Sequence, residues 1–297
     1  MSTLSIPPLV QLSILVLLSI LFIWIYQSCS QSTVSHSTAS QSIILPINSG
    51  CQQSLVESDE FICEPDSLWN ERKHVYHAQD KENMMKRKDA IYFLSNWEPN
   101  FHCSHARRIG DMGDGGKWVC DPYRLKSRHD CLVYSVGSRG DFSFENYMKK
   151  LMPQCEIHAF DKILYSCPIK TCSFHQIIFG TGIEPNGSKN WMTIIQELNH
   201  INRSIDILKI DIEGSEYSFF PLLFNSNKIS FPRQILVELH PINVSIVHGF
   251  FDLLRNNNYV IFNKENNLLA GPYFFEYGFL KLNPHFFIQS HHSKVKK

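Results

Sequence analysis

The sequence predicts an α/β fold in which a mostly parallel sheet carries helices on both faces. Three observations predict it. From Cys131 onward, short apolar runs alternate with helical stretches. The first run, CLVYSVG, leads into the turn Ser135-Val-Gly137-Ser-Arg-Gly140-Asp141, whose glycines let backbone N–H groups approach a ligand at the start of a helix. The second run, EIHAF, ends on Asp161, where an acidic residue about 20 residues after such a turn can bind sugar hydroxyls.

Residues 1–27 come first. Pro7 to Tyr26 is apolar and uncharged, about the 20 residues that a membrane span needs. Trp24 and Tyr26 stand at its far end, where aromatic rings favour the membrane interface. The stretch reads as an uncleaved transmembrane signal-anchor. Ser28 and Ser30 have the spacing of a cleavage site, so secretion is the alternative. No Lys, Arg, Asp or Glu precedes Glu57, so loop charge gives no orientation. The short leader, nine cysteines and three sequons favour a single-pass type II protein facing the Golgi or ER lumen. The sequons are Asn186-Gly-Ser188, Asn202-Arg-Ser204 and Asn243-Val-Ser245. Residues 28–56, rich in Ser, Gln and Thr, read as a flexible stalk.

Residues 57–122 form a helical preface and a glycine-rich turn. Leu68, Trp69, Val75, Tyr76, Met84, Met85, Ala90, Ile91 and Leu94 recur with helical spacing, as one packing face of two helices. The stretch from Cys103 to Pro122 resembles a calcium loop but fails its ligand positions. With Asp111 first, Gly113 and Gly115 stand where acids belong, and Pro122 where the bidentate Glu belongs. It reads as a tight turn.

Residues 123–288 carry the α/β pattern. Strands are expected at CLVYSVG, EIHAF, FHQIIF, DILKI, QILVEL, YVIF and FFEYGFLKL. Helices are expected over Phe144 to Met152, Trp191 to Leu198 and about Val247 to Arg255. Residues 289–297 are a solvated tail.

Two later strands end in chemistry. Asp211-Ile-Glu213 follows DILKI, and Glu238-Leu-His240 closes QILVEL. Alternate strand residues share a face, so each pair should point together. If the strands are neighbours, three carboxylates and an imidazole converge at one sheet edge. Such convergence is costly unless a cation or substrate shares the site. The simpler account of Glu216 is that it begins a helix whose dipole favours it, and that account is adopted for this residue.

Composition sets the remaining bounds. A formal net charge of zero and a pI near 7.2 argue against a nucleic-acid partner. No cysteine pair has metal-site spacing, so no metal centre is expected. Cys167 and Cys172 are close enough to close a small loop. Two accounts of the cysteines stand side by side: buried apolar residues, or disulfides in an oxidising compartment.

At GDGGKWVCDP, CLVYSVGSRGDFSFE, EIHAFD, DILKIDIEGSEY, ILVELH and EYGFLKL the chain resembles the methyltransferase-like protein 24 family, near the FkbM-type methyltransferases. The resemblance runs roughly from Met84 to Leu282. Lys162 stands where that family often has Pro, and Tyr217 where Trp is common. The resemblance implies a class I, Rossmann-like methyltransferase fold with a seven-stranded sheet and S-adenosyl-L-methionine as cofactor. It implies that Ser135, Gly137 and Gly140 seat the methionine moiety. Asp161 holds the ribose, and Gly180 and Thr181 lie near the adenine. Asp211 and Glu213 face the methyl group and an unidentified acceptor. Glu238 and His240 are the candidates to take the proton of an acceptor oxygen. Two rivals fit the same outline: a type II lumenal glycosyltransferase, although a DxD motif is absent, and an inactive methyltransferase fold serving as an interaction module.

Overall fold

The computed structural model describes residues 50–76, 96–225, 231–240, 242–267, 269–271 and 273–288. The expected anchor, most of the stalk, Cys29, the face from Met84 to Leu94 and the tail lie outside them. Among the described residues, no helix is long and apolar enough to cross a membrane.

Two short helices, α1 (Gln52–Glu57) and α2 (Asp66–Val75), precede a hairpin of β1 (Arg107–Ile109) and β2 (Lys117–Val119). The glycine-rich turn is the tip of this hairpin, so the expected turn is present with two unexpected strands beside it. Then follow β3 (Leu132–Val136), α3 (Ser143–Leu151), β4 (Glu156–Asp161), β5 (Ser173–Gln176) and α4 (Trp191–Glu197). The chain continues through β6 (Ile207–Ile210), α5 (Glu216–Phe224), β7 (Gln234–Leu239), α6 (Val244–Asn256), β8 (Tyr259–Asn266), β9 (Phe275–Lys281) and α7 (Pro284–Phe287).

Seven strands form one sheet in the order β5-β4-β3-β6-β7-β9-β8. Every neighbouring pair from β5 to β7 is parallel, and β9 runs antiparallel to both β7 and β8. The chain winds outward from β3 to β5, then returns to the other side of β3 as β6. That reversal puts the switch point of the sheet at the carboxyl ends of β3 and β6, the usual ligand position in such sheets.

The sequence patterns explain the layers. All five residues of β3 are buried, which is why LVYSV reads as a continuous apolar run. Leu132, Tyr134 and Val136 face a core shared with Trp191, Phe219, Phe220 and Phe250 of α4, α5 and α6. Val133 faces the opposite core, with Phe144 and Met148 of α3, Trp69 of α2, and Ile109 and Val119 of the hairpin. Asn190 and Asn243 cap α4 and α6, their side chains accepting from the N–H groups of Thr193 and Ser245. The Asn243 cap starts α6 three residues earlier than apolar spacing alone indicates. The expected strand FHQIIF pairs only as far as Gln176, and Phe179 makes an isolated bridge to Lys189.

Eight cysteines pair: Cys51–Cys63, Cys103–Cys120, Cys131–Cys155 and Cys167–Cys172. The disulfide account of the cysteines is therefore the one the fold adopts, and the small loop between Cys167 and Cys172 is closed. Cys131–Cys155 joins the residues directly before β3 and β4. Replacing both with alanine should lower the unfolding free energy by about 3.5 kcal/mol, the loop-entropy value for a crosslink of this span, in a denaturant titration.

Candidate active site

β3 ends at Val136 and the chain turns at once. A Cβ on Gly137, at φ +80°, would collide with the carbonyl oxygen of Asp211. The Asp211 N–H in turn donates to the Val136 carbonyl at 3.0 Å. Only glycine passes between these strand ends. Gly140, at φ +83°, packs so that a Cβ would stand 2.9 Å from the Tyr165 ring. Ser135 is fully buried, and its Oγ has no hydrogen-bond partner among the described residues.

Asp161, buried at the end of β4, clasps this turn. Its Oδ2 accepts from the Arg139 N–H at 2.8 Å, and its Oδ1 from the Ile163 N–H at 2.9 Å. Each oxygen keeps a lone pair for a further donor. Gly180 and Thr181 lie beyond β5. The Gly180 N–H donates to Lys189, and the Thr181 N–H donates to the Glu184 carboxylate at 2.8 Å.

The second group gathers at the carboxyl ends of β6 and β7, which are neighbours. β6 stops at Ile210, so the expected strand alternation does not reach Glu213. Glu213 adopts left-handed backbone, φ 57°, and is mostly exposed. Both acids nonetheless approach His240: Nε2 lies 3.8 Å from Asp211 Oδ1 and 3.4 Å from Glu213 Oε2. Glu216 does begin α5, but it does more than answer the helix dipole. It is fully buried, accepts from the Ile212 N–H at 2.8 Å, and stands 3.4 Å from His240 Nδ1.

Glu238 points elsewhere, towards a buried charge cluster that the sequence reading missed. Lys117 of β2 is 2% exposed, pairs with Glu276 of β9, and lies 3.9 Å from Glu238. Asn267 Nδ2 donates to Glu238 at 3.4 Å. The available signal was a single charge inside an apolar strand, Lys117 in GGKWVC and Glu276 in FFEYGF. Asp211 links the two groups. Its oxygen lies within 4.8 Å of those of Asp114 and Glu238, and also within that distance of Glu216 and His240 ligand atoms. Either set has donors that suit a cation.

Burial, then Asp211 and Glu276, push the Glu238 carboxyl up to about 8, against the pull of Lys117. Burial opposes the His240 imidazolium, but Glu216, Asp211 and Glu238 outweigh it and raise its pKa to about 9. Burial also opposes the Lys117 ammonium, and Glu276, Asp211 and Glu238 hold it above its ordinary value. A polar groove of about 440 Å³ bounded by Asp59, Arg233, Asn257 and Lys281 opens at the opposite end of the strands and contains none of the candidate residues.

The two groups fit S-adenosyl-L-methionine. The end of β3 keeps the buried Ser135 hydroxyl without a partner among the described residues, an acid at the end of β4 can meet a diol, and a carboxylate-rich edge suits a sulfonium cation. Residues 57–281 match a family model described as a methyltransferase domain. No curated protein sequence matches. Solved structures with distant likeness include the fibrillarin of Aeropyrum pernix with natively bound S-adenosyl-L-methionine, at 11% identity, over 61% of this chain and 85% of that one, TM-score 0.35. Human methyltransferase-like protein 13 in complex with SAH gives 13% identity, 57% and 79% coverage, and TM-score 0.36. Precorrin-6y C5,15-methyltransferase from Geobacter metallireducens gives 11%, 51% and 80%, and 0.32.

Both raised groups bind more protons folded than unfolded. Their stabilisation is fully present below their unfolded values and is lost as pH rises through about 8 for Glu238 and about 9 for His240. The melting temperature should therefore fall across that window. Glu238→Gln should flatten the slope between pH 5 and 8, by at most about 1.4 kcal/mol per pH unit. An unchanged slope in the variant would contradict the assignment.

Proposed function

We propose, for a chain that belongs to the methyltransferase-domain family and is an S-adenosylmethionine-dependent methyltransferase, that it methylates an acceptor oxygen at the carboxyl edge of β6 and β7. The observation that carries this reading is the set of acids converging on Asp211 and His240, opposite the Gly137 turn. When bound, the cofactor supplies an activated sulfonium methyl.

The chain's own task is position and proton removal. The turn from Ser135 to Gly140 receives the methionine moiety, Asp161 holds the ribose, and Gly180 and Thr181 border the adenine. Asp211 and Glu213 give the negative surroundings that hold a sulfonium and line the acceptor's approach. Glu238 or His240 takes the acceptor proton, a contribution of typically 10²–10⁴-fold. Both hold their own proton at neutral pH, so the base form gains population as pH rises towards 8 and 9.

The finer family reading is methyltransferase-like protein 24, supported by the paired motifs VYSVGSRGDFSFE and DILKIDIEGSE. A type II, lumenal or extracellular placement is supported by four disulfides and by exposed asparagines in all three sequons.

Calorimetric titration of S-adenosylhomocysteine into the purified full-length protein tests the cofactor pocket. One binding site is expected, and Asp161→Ala should abolish it. Asp211→Asn should bind normally yet lose methyl transfer to a screened acceptor by roughly 10²-fold or more. Normal turnover in that variant removes the role of Asp211. A lumenal chain should also shift in electrophoretic mobility on glycosidase treatment, and the triple sequon variant should not.

A further inference from the structure

A second cluster sits at the opposite end of the sheet. Glu156 is the first residue of β4 and Asp161 the last, so the two ends lie about 17 Å apart along the strand. At the Glu156 end, three ligand atoms meet. Glu156 Oε1 is 2.8 Å from His158 Nε2 and 3.6 Å from His200 Nε2, and the three lie within 4.8 Å of one another. Tetrahedral ligands at about 2.0–2.1 Å from zinc are separated by about 3.3 Å, so the two distances from Glu156 Oε1 lie within about half an ångström of that spacing and the histidine pair lies within about 1.5 Å of it.

The outer partners match as well. Each imidazole presents Nε2 to the common point and uses Nδ1 for a hydrogen bond behind it. His158 Nδ1 meets His175 Nε2 at 2.8 Å, and His200 Nδ1 meets the Tyr134 hydroxyl at 2.7 Å. Ligating imidazoles are held this way, because the hydrogen bond at the second nitrogen fixes ring orientation and tautomer. The two histidines are buried, whereas the Glu156 side chain is 45% exposed and leaves an approach from solvent.

Arg203 holds the place of a cation here. Its guanidinium donates to Glu156 Oε2 and lies 3.2 Å from His200 Nε2. The side chain is 31% exposed and can move outward. We propose that Glu156, His158 and His200 form a zinc site, separate from the methyl-transfer site, with solvent as fourth ligand and Arg203 as its competitor. A bound ion ties the start of β4 to the turn after α4. The cysteine-based expectation of no metal centre did not weigh these histidines, since Glu156 and His158 lie far from His200 in sequence.

The test is calorimetric titration of Zn²⁺ into chelator-treated full-length protein, with Co²⁺ absorption reporting coordination geometry. One equivalent should bind and raise the melting temperature. Glu156→Gln should abolish or strongly weaken this binding. Tyr134→Phe, which removes only the hydroxyl behind His200, should weaken it by roughly 10-fold. Arg203→Gln should tighten it by roughly 10-fold by removing a cation next to the ion. Glu156 and Arg203 are partly exposed, so neither variant depends on refilling the core. No binding by the folded protein, or binding unchanged in both Glu156→Gln and Arg203→Gln, overturns the site.

Discussion

Where β3 and β6 end, the backbone at Gly137 passes so close to the carbonyl of Asp211 that no side chain fits between them. Much of the candidate site depends on this crossing. The Asp211 N–H is spent on Val136, which fixes where β6 stops. The chain beyond Gly137 must then turn sharply, and Asp161 clasps that turn through the Arg139 N–H. One close approach therefore sets the glycine turn, the acid at the end of β4 and the acid at the end of β6 in a common frame. A Cβ at position 137 would separate those two ends and displace all three.

The second constraint is electrostatic. Glu238 and Glu276 face each other across β7 and β9, both nearly inaccessible to water. Two buried carboxyls side by side are unfavourable unless a proton or cation intervenes. Lys117 supplies the cation from the hairpin, and the raised Glu238 supplies the proton. On the other side of Asp211, His240 plays the cationic part among Glu213, Glu216 and Asp211. The site thus carries a surplus of acids that is only partly balanced from within.

Period and composition made the parallel sheet legible, because buried strands such as LVYSV and QILVEL read as continuous apolar runs. Asp161, Asp211 and Glu238 stood out because each closes or follows such a run. The hairpin was hidden, since three-residue strands such as RRI and KWV have too few residues to show alternation. Lys117 and Glu276 escaped notice because their partnership spans 159 residues of sequence. Glu213 comes beside His240 by an unexpected route, a left-handed turn instead of a continued strand. Glu216 satisfied the simple helix-start account while also closing on His240, and sequence alone does not separate those roles.

The bridge Cys103–Cys120 encloses the whole hairpin tip, with Asp114 and Lys117 inside the loop it closes. Gln234 fastens the base of that loop, exchanging two 2.8 Å hydrogen bonds with the backbone of Cys120. The counter-charge of the sheet edge is therefore delivered by a covalently closed cassette, not by the sheet itself. Besides the bridge, the β1–β2 pairing and the Gln234 hydrogen bonds secure the base of this loop, and Lys117 itself pairs with Glu238 and Glu276. Reduction of that bridge therefore removes a restraint on the cation of this edge without breaking any strand pairing of the seven-stranded sheet.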